Sequence, residues 1–421
     1  MKIKTREMPY EQVMALPRPR HKNPMKPLGL LGAAIRLLSL PTLWKTRFTF
    51  TQERMEMAGD KPCLILMNHS AFMDLKIAYR IFFPRKFCIV GTVDSQVGKN
   101  WLMRLLGIIP TQKYVSDLTL IRDMHYALHQ LKTSVLMFPE AGYSLDGRAT
   151  VLPRHLGAVL KRMKVPVVAV TTYGAFARDP LYNGLQIRRV PVNAHVRCLA
   201  TPEEIEEKTI DELDALIDGA FDFDQFAWQR EEKIRIREKF RADGLHRVLY
   251  KCAHCGAEGC MEGKGIHLTC RHCGKQYELD EYGQLRALSG ETEFAHIPDW
   301  FDWQREQVRL QVQDGTYMLD TPVDIGMLVD HKALYMVGEG RLQHDAAGFV
   351  LTGCNGKLQY EQSNLASHSL NVDYFWYEKG DVISIGDKNG LFYCFPKDHT
   401  QVTKARLAAE EMYKLQRGAK K

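Results

Sequence analysis

The sequence predicts an α/β protein with a mixed sheet flanked by helices, followed by a small cysteine-rich module and a small C-terminal β-rich domain. Short apolar runs rich in β-forming residues alternate with helical stretches up to about residue 200. Two CxxC pairs come next, and turn signals then punctuate residues 316–395. At 421 residues the chain is long enough for two or three domains.

These patterns divide the chain into five expected segments. They are a basic amphipathic membrane-proximal segment at 1–47, the α/β domain at 48–200, a helical appendage at 201–248, the cysteine module at 249–288, and the β-rich domain with a C-terminal helix at 289–421. In the α/β domain we expect strands at 63–67, 86–93, 134–139 and 165–173, and helices at 98–107, 117–132 and 154–163. Thr201, Pro202 and Glu204 form a capping-box pattern, which predicts a charged helical stretch running to about 242.

Positive charge is concentrated at the start of the chain. Residues 1–50 hold ten Lys or Arg and two acidic residues, whereas the net charge of the whole chain is +7. The apolar stretch 27–44 has cations on both sides, a pairing typical of helices that lie in a membrane interface. The alternative is a buried amphipathic helix that packs on the next domain. Nucleic-acid binding is not expected, because no aromatic-basic interleaving or recognition helix accompanies the charge.

The sequence also indicates a location. The first residues carry charge without an apolar signal-peptide core, and no stretch approaches the roughly 18 uninterrupted apolar residues of a spanning helix. Ten cysteines are few for this length, and their CxxC pairs favour metal binding in a reducing compartment. We therefore expect a cytoplasmic protein, peripheral on the inner face of the membrane.

A histidine and an aspartate follow the first apolar strand of the α/β domain. His69 would lie at the end of that strand and Asp74 at the start of the next helix, where ligand sites commonly form. Asp74 would fix the imidazole through one ring nitrogen while the other takes the proton of an incoming hydroxyl. That hydroxyl would attack a carbonyl, and backbone amides after His69 are expected to stabilise the oxyanion. Spacing alone is weak support, because His368 and Asp373 repeat it.

Companion motifs distinguish the first pair, because residues 63–174 resemble the glycerolipid (lysophosphatidic acid) acyltransferase family. Four blocks occur in the family's order: NHSAFMD at 68–74, LGIIPTQK at 106–113, FPEAGYS at 138–144 and VPVVAV at 165–170. The first block is catalytic in the family, which assigns catalysis to His69 and Asp74. The second and third blocks hold the acceptor, which assigns acceptor binding to Lys113, Glu140, Gly142 and Ser144. The resemblance also implies an acyltransferase-type sheet, with N-terminal helices at the membrane surface.

The activity that the resemblance implies is O-acyl transfer from acyl-CoA or acyl-carrier protein to a hydroxyl of a lysophospholipid or related lipid. The third block departs from the family's FPEGTRS, with Ala141 in place of Gly and Tyr143 in place of Arg. Arginine binds a phosphate through two N–H groups, and a tyrosine hydroxyl lacks its charge. Phosphate-bearing, neutral, sugar-bearing and zwitterionic acceptors therefore stay open. A catalytically silent membrane scaffold and a thioester hydrolase are the alternative functions, and Glu140 is alternatively a solvated acid in a turn.

The cysteine module predicts a zinc site. Two CxxC pairs are separated by fourteen residues, and each is followed by a glycine; the four expected ligands are Cys252, Cys255, Cys270 and Cys273. Four thiolates complete a tetrahedral Zn²⁺ shell, so the metal would be structural, and the segment resembles a zinc ribbon. Other candidate ligands in the module are expected at the surface instead: His254, Cys260, His267 and His272. Because acidic residues offset its cations, we expect a structural joint or protein-docking module here, without nucleic acid.

Overall fold

The first strand of the chain pairs with a strand more than three hundred residues further on. The computed structural model describes residues 2–71, 73–115 and 117–418. The N-terminal elements are β1 (Thr5–Glu7), α1 (Tyr10–Met14) and α2 (Gly29–Lys45). Strand β1 runs parallel to a C-terminal strand, with Thr5 opposite Leu334. Helix α2 continues through Pro41 and packs against the α/β domain through its buried side chain Leu43.

A seven-stranded sheet forms the centre of the α/β domain. Its strands and helices, in chain order, are β2 (Thr49–Glu53), α3 (Met55–Ala58), β3 (Leu64–Met67), α4 (Asp74–Phe82), β4 (Phe87–Thr92), α5 (Asn100–Leu105), β5 (Ile108–Thr111), α6 (Leu118–His129), β6 (Ser134–Met137), α7 (Leu156–Met163), β7 (Val167–Tyr173), α8 (Ala175–Arg178) and β8 (Asn193–Ala200). The strand order is β2-β8-β7-β3-β6-β4-β5. Every pairing is parallel except β7 with β8. The predicted mixed α/β sheet is confirmed.

The central strand β3 shows why this sheet is buried on both faces. Successive side chains of a strand point to opposite sides. Leu64 and Leu66 belong to one apolar cluster, and Ile65 and Met67 belong to the cluster on the other face. All four are at most 1% exposed. A parallel strand with both faces covered consists of an unbroken run of apolar residues, and residues 64–67 are such a run.

Three short helices follow the sheet: α9 (Pro202–Glu207), α10 (Ile210–Ala220) and α11 (Gln225–Glu231). The predicted capping box is present at the first of them, where Thr201 accepts from the Glu204 amide and the Glu204 carboxylate accepts from the Thr201 amide. The helical stretch ends at Glu231, earlier than the predicted 242. The charged residues after that point lie in an irregular segment that packs against the cysteine module.

The cysteine module is a small antiparallel sheet with the order β12-β11-β10-β9. Its strands are β9 (Met261–Lys264), β10 (His267–Cys270), β11 (Gln276–Leu279) and β12 (Leu285–Ala287). The long helix α12 (Ile297–Gln313) comes next. Residues 297–313 were not predicted to be helical, although Pro298 at the first helical turn is a start signal.

A larger antiparallel sheet and one helix complete the chain. The elements are β13 (Leu319–Leu328), β14 (Leu334–Asp345), β15 (Gly348–Gly353), β16 (Leu358–Gln362), β17 (Asn371–Trp376), β18 (Gly380–Asp387), β19 (Gly390–Pro396) and α13 (Gln401–Gly418). The order is β16-β15-β14-β13-β19-β18-β17, with β1 added beside β14. One apolar cluster includes Phe176 of the α/β domain, Tyr277 of the cysteine module, Trp300 of α12 and Leu407 of α13. The segments therefore share a continuous core.

Candidate active site

The topology brings the predicted catalytic pair to the carboxyl edge of the sheet. Strand β3 ends at Met67, and His69 lies in the turn that leads into α4, whose first residue is Asp74. The Nδ1 atom of His69 lies 2.9 Å from Oδ2 of Asp74. Because Nδ1 is engaged by the carboxylate, Nε2 is the ring atom that can exchange a proton with a substrate. The second pair with the same spacing, His368 and Asp373, lies in the C-terminal region, where His368 packs against Tyr114 at 5.5 Å between ring centroids.

Asp74 also organises the turn that carries His69. Its Oδ2 accepts the backbone N–H groups of Ser70 at 2.9 Å and Ala71 at 3.1 Å. Asp74 is 1% exposed, so these bonds hold its carboxylate, the partner of the His69 imidazole, in one position. The expectation that amides directly after His69 stabilise the oxyanion is wrong for Ser70 and Ala71, because both amides already donate to Asp74.

The asparagine before His69 anchors the same turn to the neighbouring strand. Oδ1 of Asn68 accepts from the amide and from the hydroxyl of Thr172, at 2.8 and 3.0 Å. Its Nδ2 donates to the Thr172 carbonyl and to the Ser70 hydroxyl. Asn68 is fully buried, and Thr172 belongs to β7. This role of Asn68 was not predicted, although its place inside the first motif block is a signal for it.

Two aromatic rings enclose the imidazole of His69. The Phe138 ring stacks on it at 4.1 Å between centroids, and the Tyr143 ring stacks on it at 4.0 Å. The His69 side chain keeps 19% of its surface exposed. Burial lowers the pKa of His69 below its usual value, and the nearby Asp74 carboxylate opposes that shift while Lys113 adds to it. A neutral imidazole, able to accept a proton, is therefore favoured at pH 7.

Glu140 holds two loops together beneath the site. One carboxylate oxygen accepts the His69 amide at 2.7 Å, and the other accepts the Thr150 amide at 3.2 Å. Glu140 is 0% exposed, so it is not the solvated turn acid of the alternative interpretation. Burial raises the pKa of Glu140 to about 7, although both amides lower it. With both oxygens bonded to the backbone, this side chain is placed to fix the position of His69.

The other residues of the second and third blocks lie around this loop. The Lys113 Nζ is 5.8 Å from the centroid of the Tyr143 ring. A side chain at Gly142 would bring its Cβ within 3.0 Å of the Tyr114 hydroxyl, which itself donates to the Glu140 carbonyl at 3.2 Å. Ser144 is buried; its hydroxyl donates to the carbonyl of Arg148 and accepts the amide of Gly147. Lys113 thus lies near the Tyr143 ring, whereas the hydrogen bonds of Ser144 stay within its own turn.

The C-terminal helix contacts the loop of the third block. Arg406 of α13 donates to the Tyr143 carbonyl at 3.4 Å and to Glu410 at 3.1 Å. Arg305 of α12 donates to the same Glu410 at 2.6 Å. Although burial opposes ionisation, Arg305 and Arg406 hold the pKa of Glu410 down to about 2. This buried ion network joins both C-terminal helices to the third block, and no local sequence signal marked Arg406.

The four predicted metal ligands converge at one point of the cysteine module. All four sulfur atoms lie within 4.8 Å of one another, with Cys252 and Cys273 at 3.9 Å and Cys255 and Cys270 at 3.8 Å. Tetrahedral zinc with Zn–S bonds of about 2.3 Å separates its sulfurs by about 3.8 Å, so the cluster fits that ion. Gly256 and Gly274 adopt positive φ angles of 74° and 77°, the left-handed turn geometry for which glycine is suited. His254 instead bonds to Glu293 at 2.8 Å.

Fold and site together define an α/β domain with a partly buried His–Asp pair at the carboxyl ends of its parallel strands. Residues 47–173 match the sequence model of the family described as Acyltransferase. The chain is 24% identical over 119 residues to the chloroplastic 1-acyl-sn-glycerol-3-phosphate acyltransferase BAT2 of Brassica napus. That alignment covers 28% of this chain, and the chain spans about a third (34%) of the relative's length. The expected acyltransferase-like character of the first domain is confirmed.

This chain is also similar to a solved structure of an acyltransferase. The crystal structure of the 1-acyl-sn-glycerophosphate (LPA) acyltransferase PlsC from Thermotoga maritima matches with a TM-score of 0.37 and 17% sequence identity. The match covers 45% of this chain and 76% of that one.

Proposed function

We propose that this protein transfers a fatty acyl group from a thioester, acyl-CoA or acyl-carrier protein, to a hydroxyl of a lysophospholipid or related lipid. The observation that carries the proposal is the 2.9 Å contact between His69 Nδ1 and Asp74 Oδ2. This pair lies inside the segment that matches the Acyltransferase family. The enclosed, neutral imidazole suits general-base catalysis on an alcohol.

The proposed reaction needs one base and one oxyanion stabiliser. His69 Nε2 takes the proton of the acceptor hydroxyl as its oxygen bonds to the thioester carbonyl carbon. The tetrahedral intermediate then collapses with cleavage of the C–S bond, and the proton passes from His69 to the departing thiolate, giving an ester and a free thiol. Asp74 stabilises the imidazolium that forms between these steps. Lys113 is the positive charge that we assign to the developing oxyanion, because its Nζ lies 5.8 Å from the centroid of the Tyr143 ring, which stacks on His69.

We further propose that the first fifty residues hold the enzyme on the cytoplasmic face of a membrane. In the part of the chain that the structure describes, no helix is both long and apolar enough to cross a bilayer. Helix α2 nevertheless exposes 88% of Leu30, 77% of Leu38 and 81% of Trp44. Exposed cations flank it on both sides: Arg18, Arg20, Lys22, Lys26, Lys45 and Arg47. Exposed apolar side chains with cations beside them suit an interface of acyl chains and anionic headgroups.

The cysteine cluster takes a structural part in this proposal. Zn²⁺ bound by Cys252, Cys255, Cys270 and Cys273 would have no open coordination position, so it would stabilise the module without touching the acyl group. We propose a joint between the α/β domain and the β-rich domain, since Tyr277 of this module packs against Trp300 of α12 at 5.0 Å between ring centroids.

The direct test is an acyl-transfer assay on purified full-length protein with vesicles, radiolabelled acyl-CoA or acyl-carrier protein, and a panel of lysolipids. His69→Ala should lower turnover by about 10²- to 10⁴-fold. His125→Ala is the matched control, since His125 is an exposed histidine of α6 and should retain activity. An equal loss in both variants, or full activity in His69→Ala, would contradict the proposal.

The same assay separates the two alternative functions. A catalytically silent scaffold is favoured by the third block, where Tyr143 replaces arginine and covers one face of His69. It predicts vesicle binding without turnover on every acceptor. A thioester hydrolase would release free fatty acid, with water in place of the lipid hydroxyl, and its products would contain no acylated lipid.

A further inference from the structure

Helix α5 is apolar, although none of its residues is buried. Four of its six residues are apolar, in the sequence NWLMRL at 100–105. Trp101 in its first turn is 68% exposed. Contact between water and so much apolar surface is unfavourable, by about 25 cal/mol for each Å². An exposed apolar helix therefore indicates a surface that a partner covers.

The exposed surface of α5 is continuous with that of α2. The Leu28 amide, directly before α2, donates to the Leu105 carbonyl at the end of α5 at 3.0 Å. Pro27 packs against Gly107 so closely that a Cβ at Gly107 would lie 2.5 Å from the proline ring. Helix α5 thus lies beside the first turn of α2. Trp44, which is 81% exposed, lies in the last turn, about 25 Å away along this 17-residue helix. The two exposed tryptophans therefore mark opposite ends of α2.

Helices α2, α4 and α5 together form a strongly basic surface, which we call the α2–α5 face. Helices α2 and α4 cover one side of the sheet, where Leu43 and Ile77 pack with Ile65 of β3. The segments that form the face, 23–47, 74–86 and 98–107, hold ten Lys or Arg and one acidic residue. That acidic residue is Asp74, which is buried in the candidate active site. An excess of cations beside exposed apolar side chains suits anionic lipid headgroups above acyl chains.

Helices α9 and α10, on the other side of the sheet, carry the opposite charge. Ile205 and Leu213 of these helices pack with Leu64 and Leu66 of β3. Residues 202–220 hold eight acidic residues and one lysine. An anionic surface would repel these two helices and attract the α2–α5 face. The charge distribution therefore favours one orientation of the protein at such a surface.

The α2–α5 face also borders the candidate active site. Lys76 in the first turn of α4 donates to the Thr42 hydroxyl of α2 at 2.9 Å. Asp74, the partner of the His69 imidazole, lies two residues before Lys76 on the same helix. The end of α2 that carries Trp44 is therefore the end beside the candidate active site. A protein held at both ends of α2 would keep this edge of the sheet at the bilayer.

We infer that α5 inserts Trp101 into an anionic phospholipid bilayer, as a second contact that fixes the orientation in which α2 lies on the membrane. This inference rests on the membrane attachment proposed above and adds to it a second element and an orientation. An acidic soluble protein, such as acyl-carrier protein, would match the cations of the α2–α5 face. The exposed rings and leucines favour acyl chains instead.

Fluorescence quenching tests the insertion of Trp101 directly. The full chain is mixed with vesicles of phosphatidylcholine and phosphatidylglycerol whose acyl chains carry bromine, which quenches a tryptophan that enters the apolar region. Trp44 and Trp101 are the two exposed tryptophans of the chain, so the Trp44→Phe variant leaves Trp101 as the reporter. Quenching should persist in Trp44→Phe and disappear in the double variant Trp44→Phe, Trp101→Phe. Vesicle-bound Trp44→Phe without quenching would overturn the inference.

Sedimentation with the same vesicles, without bromine, separates the second contact from α2. Trp101→Glu should weaken binding about tenfold, whereas Met318→Glu, at a side chain 66% exposed directly before β13, should not. Lys86→Gln should weaken binding about fivefold and Lys388→Gln should not, because Lys86 lies on the α2–α5 face and Lys388 in the β18–β19 turn.

Two outcomes would overturn the second contact. Loss of binding in Leu38→Asp with full binding in Trp101→Glu would sustain the attachment through α2 alone. Trp101-dependent binding of acyl-carrier protein, without quenching by brominated lipid, would assign the α2–α5 face to a protein partner. Neither assay contains an acyl donor, so both are independent of turnover.

Discussion

The ring of Tyr143 lies face to face with the imidazole of His69, with 4.0 Å between the centroids and 24° between the planes. The position of Tyr143 in the third block is occupied in the resembled family by an arginine. Stacking places an uncharged, apolar face beside the base, where the arginine would place a cation. This replacement bears on which acceptor the protein would prefer.

Replacing this tyrosine should change the preferred acceptor. We expect Tyr143→Arg to lower the KM of lysophosphatidic acid about tenfold, since a guanidinium binds phosphate through charge-assisted hydrogen bonds. The KM of an uncharged acceptor should rise or stay constant. Tyr143→Phe is the control, because it retains the ring and adds no charge. Steady-state kinetics on both acceptors decide the matter, and a parallel change in the two KM values would count against this role.

The pH profile of kcat/KM should reveal a histidine with a lowered pKa. Burial lowers the pKa of His69, so the active neutral form persists below the usual value of 6.5, and activity falls only in more acidic solution. Asp74 raises that pKa and Lys113 lowers it. The acidic limb should therefore move to lower pH in Asp74→Asn and to higher pH in Lys113→Met. Glu140→Gln should retain the limb, although Glu140 has a pKa of about 7. Limbs that coincide in all variants would exclude His69 as the titrating base.

The turn of the third block contains a strained alanine that a glycine should relieve. Ala141 has a φ of 55°, in the left-handed region, and it occupies the position where the family has glycine. We expect Ala141→Gly to raise the free energy of unfolding by about 1 kcal/mol, since a Cβ is disfavoured in that conformation. Ala127→Gly in helix α6 should have the opposite sign. Urea denaturation of both variants measures the difference, and a loss of stability in Ala141→Gly would refute the argument.

Removing metal should unfold the cysteine module. The protein as purified should contain about one equivalent of zinc by atomic absorption, bound with a free energy on the order of 10 kcal/mol. Strong chelation or Cys252→Ser should release it and lower the thermal midpoint. Cys260→Ser is the matched control, because Cys260 lies in the same module outside the four-sulfur cluster. Zinc retained by Cys252→Ser, or lost equally from Cys260→Ser, would contradict the assignment.

Vesicle binding should depend on the exposed face of α2. Leu38→Asp should weaken sedimentation with anionic vesicles at least about tenfold, because Leu38 is 77% exposed and a carboxylate cannot enter the acyl region. Ile187→Asp is the matched control, because Ile187 is also an exposed aliphatic side chain (65% exposed) but lies on the α/β domain, outside the N-terminal segment. If the two substitutions weaken binding alike, α2 is not the membrane-binding element.

Most of the correct predictions came from local sequence patterns. Strand β3 could be predicted because burial of both faces requires a continuous apolar run, and the cysteine cluster could be predicted because each CxxC pair lies in one tight turn. The support given by Arg406 to the Tyr143 carbonyl joins residues 263 positions apart, and no local period encodes such a contact. The hydrogen-bond partners of Glu140 could not be predicted for the same reason. The Thr150 amide donates to Glu140 across a loop, and the conformation of that loop depends on the whole fold. Helix α12 was missed because its polar composition obscures its apolar stripe.

The pairing of Thr5 with Leu334 makes the order of synthesis matter. Translation produces β1 long before its partner strand β14, so β1 stays unpaired until β14 has been synthesised. During that interval the apolar residues of α2 are already outside the ribosome and can meet a bilayer or a chaperone before the C-terminal strands exist. Attachment to a membrane would then precede completion of the candidate active site.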